Sequence, residues 1–436
     1  MSLRHPPAAP VSSLQSGFAW MFAGNVVFTA THWAMLAVLT KLTTDSVSGQ
    51  YGMGLSLGTP VFMFAGLDLR MLLVTESRRR YSFSDYLTLR LLCGSLGLLA
   101  VLGLAMAWGY TSTTLYVIMA VALGKLIELI SDTYYGLIQL QNRLDAISKS
   151  TILHGLVSGV GFVGCLGITG SVFAACLAYA VGRLAVLLCY DRPVTRRLLQ
   201  DEPAVEPELL SDRMARMAAL ARTGAPLSVK TLLVALNTHV ARYFVAAKFG
   251  LAGLGVFFPI AQLGFAGLTF SRALNQSVAG RVGRLAQSGQ MQEFRNLLGR
   301  LLGVYALLGA ACIGVAALFG TTILTVAFDS GFAPHSGILT LVMVAMAMQF
   351  MTGILDLAMI ALRRRILPAW LSAVSLLLLS LACWQWVPEY GFTGAAAAMI
   401  VSRLPRPLVL GWVVFRAAGP VEELQLRQHE TLRGAA

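Results

Sequence analysis

The sequence predicts an all-α, polytopic membrane protein with about twelve transmembrane helices, in two six-helix bundles related by a parallel pseudo-two-fold repeat. Three observations carry this prediction. Of 436 residues, 57% are hydrophobic and only 12% charged, whereas soluble domains carry about 25% charged residues. The apolar residues fall in blocks of about 20, the length that crosses a hydrocarbon core. Basic residues gather in every second connection between the blocks, as in loops kept on one side of a membrane.

The blocks of the first half lie near residues 14–40, 50–74, 86–108, 112–137, 151–169 and 171–190. Those of the second half lie near 224–248, 251–275, 297–320, 335–361, 366–387 and 391–416. The first block is too long, and too far from a cleavage site, for a secretory signal, so it is read as a mature span. One set of alternate connections holds Arg78, Arg79, Arg80, Arg143, Lys149, Arg192, Arg196, Arg197, Arg213, Arg216, Arg222, Arg281, Arg284, Arg295, Arg363, Arg364 and Arg365. The other set holds Lys41 and Lys248, each at a span end. Both termini are therefore expected in the cytoplasm. Topology and attraction to anionic lipid head groups account for the net charge of +13, so the basic balance does not point to nucleic acid. The six cysteines all fall in apolar blocks with no pair at metal-ligand spacing. They are read as packed free thiols, with no metal site.

Residues 1–190 are expected to form the N-terminal bundle and 224–436 the C-terminal bundle with a short cytoplasmic tail. Between them, 191–223 reads as a cytoplasmic linker containing Pro193, Pro203 and Pro207. Helical spacing in 211–222 puts Met214, Met217 and Ala221 on one face, which suits an interfacial helix capped by Ser211; a solvated linker is the alternative. An even number of spans per half makes any repeat parallel. One is visible: Phe64-Ala65-Gly66-Leu67-Asp68-Leu69-Arg70 is echoed by Phe265-Ala266-Gly267-Leu268-Thr269-Phe270-Ser271-Arg272, each near the end of the second span of its half. Tyr51-Gly52 and Leu254-Gly255 open those two spans alike. Two homologous bundles imply a cavity between them.

The glycines of 159–164 fit a dinucleotide pattern but lie inside a span, with no preceding strand. Close helix packing through Gly155 and Gly159 is the expectation. There is no phosphate-binding Walker loop, no HExxH and no nucleophile elbow, so neither an enzyme nor a cofactor is indicated.

Ionisable residues inside spans are the informative feature, because charge in hydrocarbon is costly unless it faces protein or water. The basic ones are Arg70, Lys125, Arg183, Lys230, Arg242, Arg272, Arg403 and Arg406; the acidic ones are Asp68, Glu128, Asp132 and Asp356. This positive bias suits an anionic substrate group such as a pyrophosphate, which guanidinium forks bind in bidentate fashion. Each of these cations, Arg70 and Arg272 included, has snorkelling or a structural ion pair as its alternative reading, and Arg183, Arg403 and Arg406 fit that alternative best. Lys125, Glu128 and Asp132, at i, i+3 and i+7, make a charged stripe on one helix face. Glu128 balances Lys125, while Asp132 has no evident local partner and is the candidate for a coupling proton. His32 and His239 read as packing histidines, with titration the alternative.

The succession Gly49-Gln50-Tyr51-Gly52, Gly66-Leu67-Asp68-Leu69, Tyr135-Gly136-Leu137-Ile138-Gln139 and Asn142-Arg143 resembles the polysaccharide transporters of the multidrug/oligosaccharidyl-lipid/polysaccharide exporter superfamily. Asn237-Thr238-His239-Val240-Ala241-Arg242, Gly253-Leu254-Gly255-Val256-Phe257 and Gly391-Phe392-Thr393-Gly394-Ala395-Ala396 extend the resemblance through the chain. Relatives often carry an acidic residue before the arginine of span seven; here that position is Ala241, so no coupling role is carried over to it.

The resemblance implies two six-helix bundles in a V, alternating access, and flipping of polyprenyl-pyrophosphate-linked oligosaccharide across the bacterial inner membrane for surface polysaccharide such as lipopolysaccharide. Arg70, Arg272, Lys125, Lys230 and Arg242 become the substrate-binding candidates, and Asp132 with Glu128 the candidates for coupling to H+ or Na+. Membrane lipids are the other partners, and a monomer is expected. An ion-coupled multidrug exporter of the same superfamily is the alternative. It would handle cations and line its cavity with carboxylates. A glycan polymerase or ligase needs a larger outward loop than the short one near 321–334.

Overall fold

The computed structural model describes residues 11–75, 81–141, 143–199, 210–364 and 366–417, with the side chains of 11–19, 210–212, 266, 269, 270, 272, 273 and 417 outside the described set. Among the described residues every regular element is helical. In chain order these are α1 (Val11–Leu42), α2 (Asp45–Ala65), α3 (Leu69–Thr75), α4 (Phe83–Ala107), α5 (Ser112–Leu140), α6 (Leu144–Thr169), α7 (Val172–Val186) and α8 (Arg192–Leu198). They continue as α9 (Leu210–Leu263), α10 (Ala266–Gln287), α11 (Met291–Ala327), α12 (Ser336–Ala361), α13 (Ile366–Arg403) and α14 (Pro405–Ala417). A π-helical turn, Leu187–Asp191, joins α7 to α8, and a 3-10 turn, Ser330–His335, leads into α12.

Among the described residues, ten stretches are long and apolar enough to cross a membrane, and two of them, Arg213–Leu263 and Ile366–Arg416, are 51 residues long. A straight helix of that length would run roughly 75 Å, more than twice a hydrocarbon core of about 30 Å. Each is divided by a glycine at positive φ: Gly250 (φ 68°, ψ −169°) and Gly391 (φ 60°, ψ −134°). Those angles are open to glycine and strained for any other residue. Each long stretch is thus two crossings, which accounts for the twelve spans of the fold. Gly250 lies between two spans read from the sequence, and Gly391 is the first residue of the last one.

The repeated motif also acquires a structural meaning. Gly66, Leu67 and Asp68 break the second span between α2 and α3, and Gly264 and Phe265 break its counterpart between α9 and α10. Leu67 and Asp68 both hold φ 48°, a conformation that costs roughly 1–2 kcal/mol per non-glycine residue. Two contacts over-determine it. Arg90 donates to the Gly66 carbonyl at 2.6 Å, and Leu67 is buried with Leu69, Leu73, Tyr86, Leu89, Leu137 and Leu220.

The described residues form two compact units, one running to Pro259 together with Ala327–Asp329, the other comprising Ile260–Val326 and the chain from Ser330 onward. In the first, α6 packs on α1 and α7, and α5 packs on α2, α4 and α7. Small residues set these distances. A Cβ at Gly159 would overlap the Thr31 side chain, and one at Gly182 would sit 2.9 Å from the Ser158 backbone. The close-packing expectation for the glycines of α6 therefore holds. A Cβ at Gly49 would overlap the Leu251 carbonyl, and one at Gly255 the Asp45 carbonyl.

The helix expected within 211–222 is the opening of α9. It is clamped to the start of α4, where Ser82 and Asp85 form a reciprocal cap. Buried Asp85 takes Arg213 at 3.5 Å and Arg216 at 3.3 Å. Met217 and Ala221 pack on the cluster around Leu220, whereas Met214 is exposed. The Ser211 side chain lies outside the described residues.

In the second unit α12 is central, packing on α10, α13 and α14. The buried Tyr305 hydroxyl of α11 lies 2.7 Å from Asn275 Oδ1 and 3.1 Å from the Ser271 carbonyl. Arg406 pairs with Asp356 at 2.8 Å, a structural ion pair of the kind the sequence suggests for it.

Candidate functional site

Helix α5 supplies the backbone of the site. Its positions 125, 128, 132, 135 and 139 recur every three or four residues, so Lys125, Glu128, Asp132, Tyr135 and Gln139 share one face. In the first unit Lys125, Glu128, Asp132 and Tyr135 of that face line a cavity of about 430 Å³. The remaining walls come from Asn25 and Phe28 of α1, Thr59 and Phe62 of α2, Arg70 of α3, Arg90 of α4, Thr151 and His154 of α6, Arg183 of α7 and Thr231 of α9. The break at 66–68 contributes Gly66 and Asp68.

The charges are organised as two bridged carboxylates. Arg70 Nη1 lies 3.0 Å from Asp132 Oδ1, and Arg90 Nη2 lies 3.1 Å from Asp132 Oδ2. Arg70 also donates to Gln139 Oε1 from Nε at 3.1 Å and from Nη2 at 2.9 Å, and its guanidinium stands 5.7 Å from the centre of the Tyr135 ring. Arg90 completes its set by donating from Nε to Thr133 at 2.8 Å.

One turn back along α5, Glu128 Oε2 takes Lys125 at 2.9 Å and Arg183 at 3.6 Å. Arg183 in turn donates to the Tyr179 hydroxyl at 2.5 Å, which His32 Nε2 approaches at 3.0 Å.

Accessibility separates these cations into two kinds. Arg90 and Arg183 are 2% and 4% exposed and act as fixed parts of the wall, whereas Arg70 and Lys125 are 29% and 25% exposed and open to the cavity. Four cationic side chains face the three carboxylates of Asp68, Glu128 and Asp132, so the lining carries a positive excess. Among the described residues, no group of three or more His, Cys, Asp or Glu is placed to hold a metal.

The cavity thus gathers Arg70, Lys125, Glu128 and Asp132. It also gathers Arg183, which the sequence reads as structural. The stripe and the Lys125 to Glu128 pair are as the spacing predicts. Asp132, by contrast, has partners, and they come from α3 and α4 rather than from its own helix.

Lys230 is half-buried beside Thr231, but only Thr231 lines the cavity. Arg242 is buried elsewhere on α9, its guanidinium 4.9 Å from the Phe258 ring centre and donating to His239 Nδ1 at 3.3 Å. Arg272 belongs to α10, with its side chain outside the described residues.

Sequence reasoning passes over Arg90, His154 and Asp191. Arg90 lies inside the third apolar block and carries the same signal as Lys125. His154 lies inside the fifth. Asp191 has no such signal, because neighbouring Arg192 and Pro193 make it read as the start of a polar connection. The π-helical turn instead carries it into the core, where it is 0% exposed.

No protein-family model matches the chain. A capsular polysaccharide biosynthesis protein, CapF, of Staphylococcus aureus is 22% identical over 386 residues, covering 88% of this chain and 95% of that protein. Among solved structures, the inward-facing conformation of a multidrug resistance MATE family transporter of the MOP superfamily aligns with a TM-score of 0.67 at 12% identity, covering 91% of this chain and 96% of the other. The outward-facing conformation of such a transporter aligns at 0.63 and 12% identity, covering 96% and 98%. A MOP superfamily transporter from Pyrococcus furiosus, described as having a binding pocket of reversed polarity, aligns at 0.61 and 12% identity, covering 94% and 96%. These likenesses extend over nearly the whole chain and establish the fold: two bundles totalling about twelve helices.

Proposed function

We propose that the chain is an alternating-access transporter that flips a polyprenyl-pyrophosphate-linked oligosaccharide across a bacterial inner membrane for surface polysaccharide synthesis. The observation that carries this reading is the cavity of the first unit, where two accessible cations, Arg70 and Lys125, face an interior with a positive excess. Similarity at 22% identity to a capsular polysaccharide biosynthesis protein, along most of both chains, supports a part in surface polysaccharide synthesis.

The mechanism follows from competition. A pyrophosphate entering the cavity offers oxygens that can replace Asp132 at Arg70 and Glu128 at Lys125. Each exchange swaps one anion for another, so no cation is left unbalanced in a low-dielectric wall. Arg90 and Arg183 keep hold of the displaced carboxylates. Those carboxylates are then available to a coupling ion, H+ or Na+, and its arrival or departure resets the site. The same reading assigns contacts along the substrate's path to Lys230, Arg242 and Arg272. A multidrug exporter is the weaker reading, because two of the three cavity carboxylates, Asp132 and Glu128, are each already held by two cations.

The deciding experiment deletes the gene in its host and measures lipid-linked sugar on each leaflet. Accumulation on the cytoplasmic side, relieved by the wild-type gene, is the expected result. Unchanged glycan export with altered drug sensitivity would overturn it.

A further inference from the structure

Behind the charged face of α5 lies a second polar cluster, buried more deeply than the first. His154 of α6 and Asp191 of the π-helical turn are 1% and 0% exposed, and His154 Nε2 lies 3.1 Å from Asp191 Oδ2. Asp191 Oδ1 accepts from Ser150 at 2.5 Å, and the Ser150 hydroxyl lies 2.8 Å from that of Tyr135. Ser131 Oγ stands 3.4 Å from His154 Nε2 and is one residue from Asp132. His154 and Ser131 also line the cavity. Burying a carboxylate and an imidazole together is costly unless each is satisfied. One atom of the cluster is not satisfied: among the described residues, buried His154 Nδ1 has no hydrogen-bond partner.

We propose that His154 and Asp191 form a proton-binding site beside the cavity, with Nδ1 of His154 as the atom that accepts the proton. Asp191 only accepts hydrogen bonds, so the neutral ring carries its hydrogen on Nε2 and directs it at Oδ2. The Nδ1 lone pair is then the vacant acceptor. A proton arriving from the cavity forms the Nδ1–H bond, and Asp191 balances the resulting imidazolium. Departure of that proton restores the starting tautomer, so the cycle conserves charge and hydrogen.

The surroundings favour this pair. From α5 come Ser131, Tyr134 and Tyr135, with Asp132 adjacent and already bridged by Arg70 and Arg90. From α7 and α8, Arg183 and Arg192 act electrostatically on Tyr135 and Tyr134, and Tyr190 stands within reach of Asp191, Asp145 and Arg143. Helix α1 brings Met21, Asn25 and Phe28 to the cavity, and its His32 is engaged by the Phe28 carbonyl and by Tyr179. Among the described residues, His154 is the only basic side chain within ion-pair distance of Asp191. Where the chain transports as proposed above, this pair adds a site for a coupling proton beside the displaced carboxylates of Asp132 and Glu128.

The test uses the full chain purified into lipid and has two arms. Infrared difference spectra between about pH 5 and about pH 8, the window in which imidazole changes charge, should contain an imidazolium band that His154→Gln abolishes. Glutamine retains a hydrogen-bond donor for Asp191, so a merely structural pin would be rescued by it. In the second arm, proteoliposomes carry a fluorescent polyprenyl-pyrophosphate disaccharide. A transmembrane pH gradient should stimulate its movement in the wild type several-fold and leave His154→Gln at its basal rate.

An unchanged spectrum in His154→Gln overturns the proton site. A wild type that shows the band but moves no probe overturns the transport reading and leaves the proton site standing. If His154→Gln does not fold, Asp191→Asn decides: losing the counter-anion should move the band to lower pH, and an unmoved band overturns the proposal.

Discussion

Arg70 Nη1 lies 3.0 Å from Asp132 Oδ1, so the cation assigned to the substrate's phosphate is already held by a carboxylate. On the proposed function, binding at this site would be an exchange of anions rather than the filling of an empty cradle. That relationship shapes the behaviour expected of each variant around it.

Arg70→Ala should reduce substrate capture on the order of tenfold or more, since a charge-assisted hydrogen bond is worth roughly 1.5–3 kcal/mol and 1.4 kcal/mol is a factor of ten. Arg70→Lys should be intermediate because it keeps the charge and loses the planar fork. Arg272→Ala, at the equivalent position of the repeat, should fall in the same direction. Complementation of a deletion strain at native expression measures all three, and full complementation by both alanine variants would reduce the two arginines to structural roles.

Stability should rank the partners of Asp132 differently from transport. Arg90 is 2% exposed and bonds to Asp132, Gly66 and Thr133, so Asp132→Asn leaves a buried guanidinium short of its anion. Breaking a buried pair costs about 3–5 kcal/mol, and the loss here should be smaller because the Asp132 side chain is 36% exposed. Arg70→Ala should cost less again, since Arg90 still holds Asp132. Thermal unfolding of the purified variants gives the order, and a larger shift for Arg70→Ala than for Asp132→Asn would contradict it.

Gly49 and Gly255 should tolerate no side chain. A methyl group on either would overlap a backbone carbonyl, and overpacking of this kind costs typically 1–3 kcal/mol. Gly103, where an added methyl would meet nothing within 4 Å, provides the control within the same unit. Gly49→Ala and Gly255→Ala should lower the unfolding temperature while Gly103→Ala leaves it unchanged.

Reporter fusions after Ala436 and near Gln200 should be active only with a cytoplasmic reporter, because translocating the basic connections is unfavourable. A periplasmic signal from either fusion would invert the topology.

The sequence by itself determined the helical class, the spans and the charged face of α5. Bilayer thickness sets the length of each apolar block, and the 3.6-residue period is local to each helix, so both can be read from neighbouring residues. It also determined the repeat, whose two copies fall at the two helix breaks. Tertiary structure alone decided which charges meet. The partners of Asp132 are 62 and 42 positions away in sequence, on α3 and α4, and no periodicity within α5 discloses them. It separated Arg70 and Lys125, which share the cavity, from Arg242, which packs on Phe258. It also drew Asp191 out of an apparent linker and into contact with His154. Packing brings together faces of helices distant in sequence, and a π-helical turn changes which face a residue presents. That information resides in the contacts between helices rather than in the pattern along any one of them.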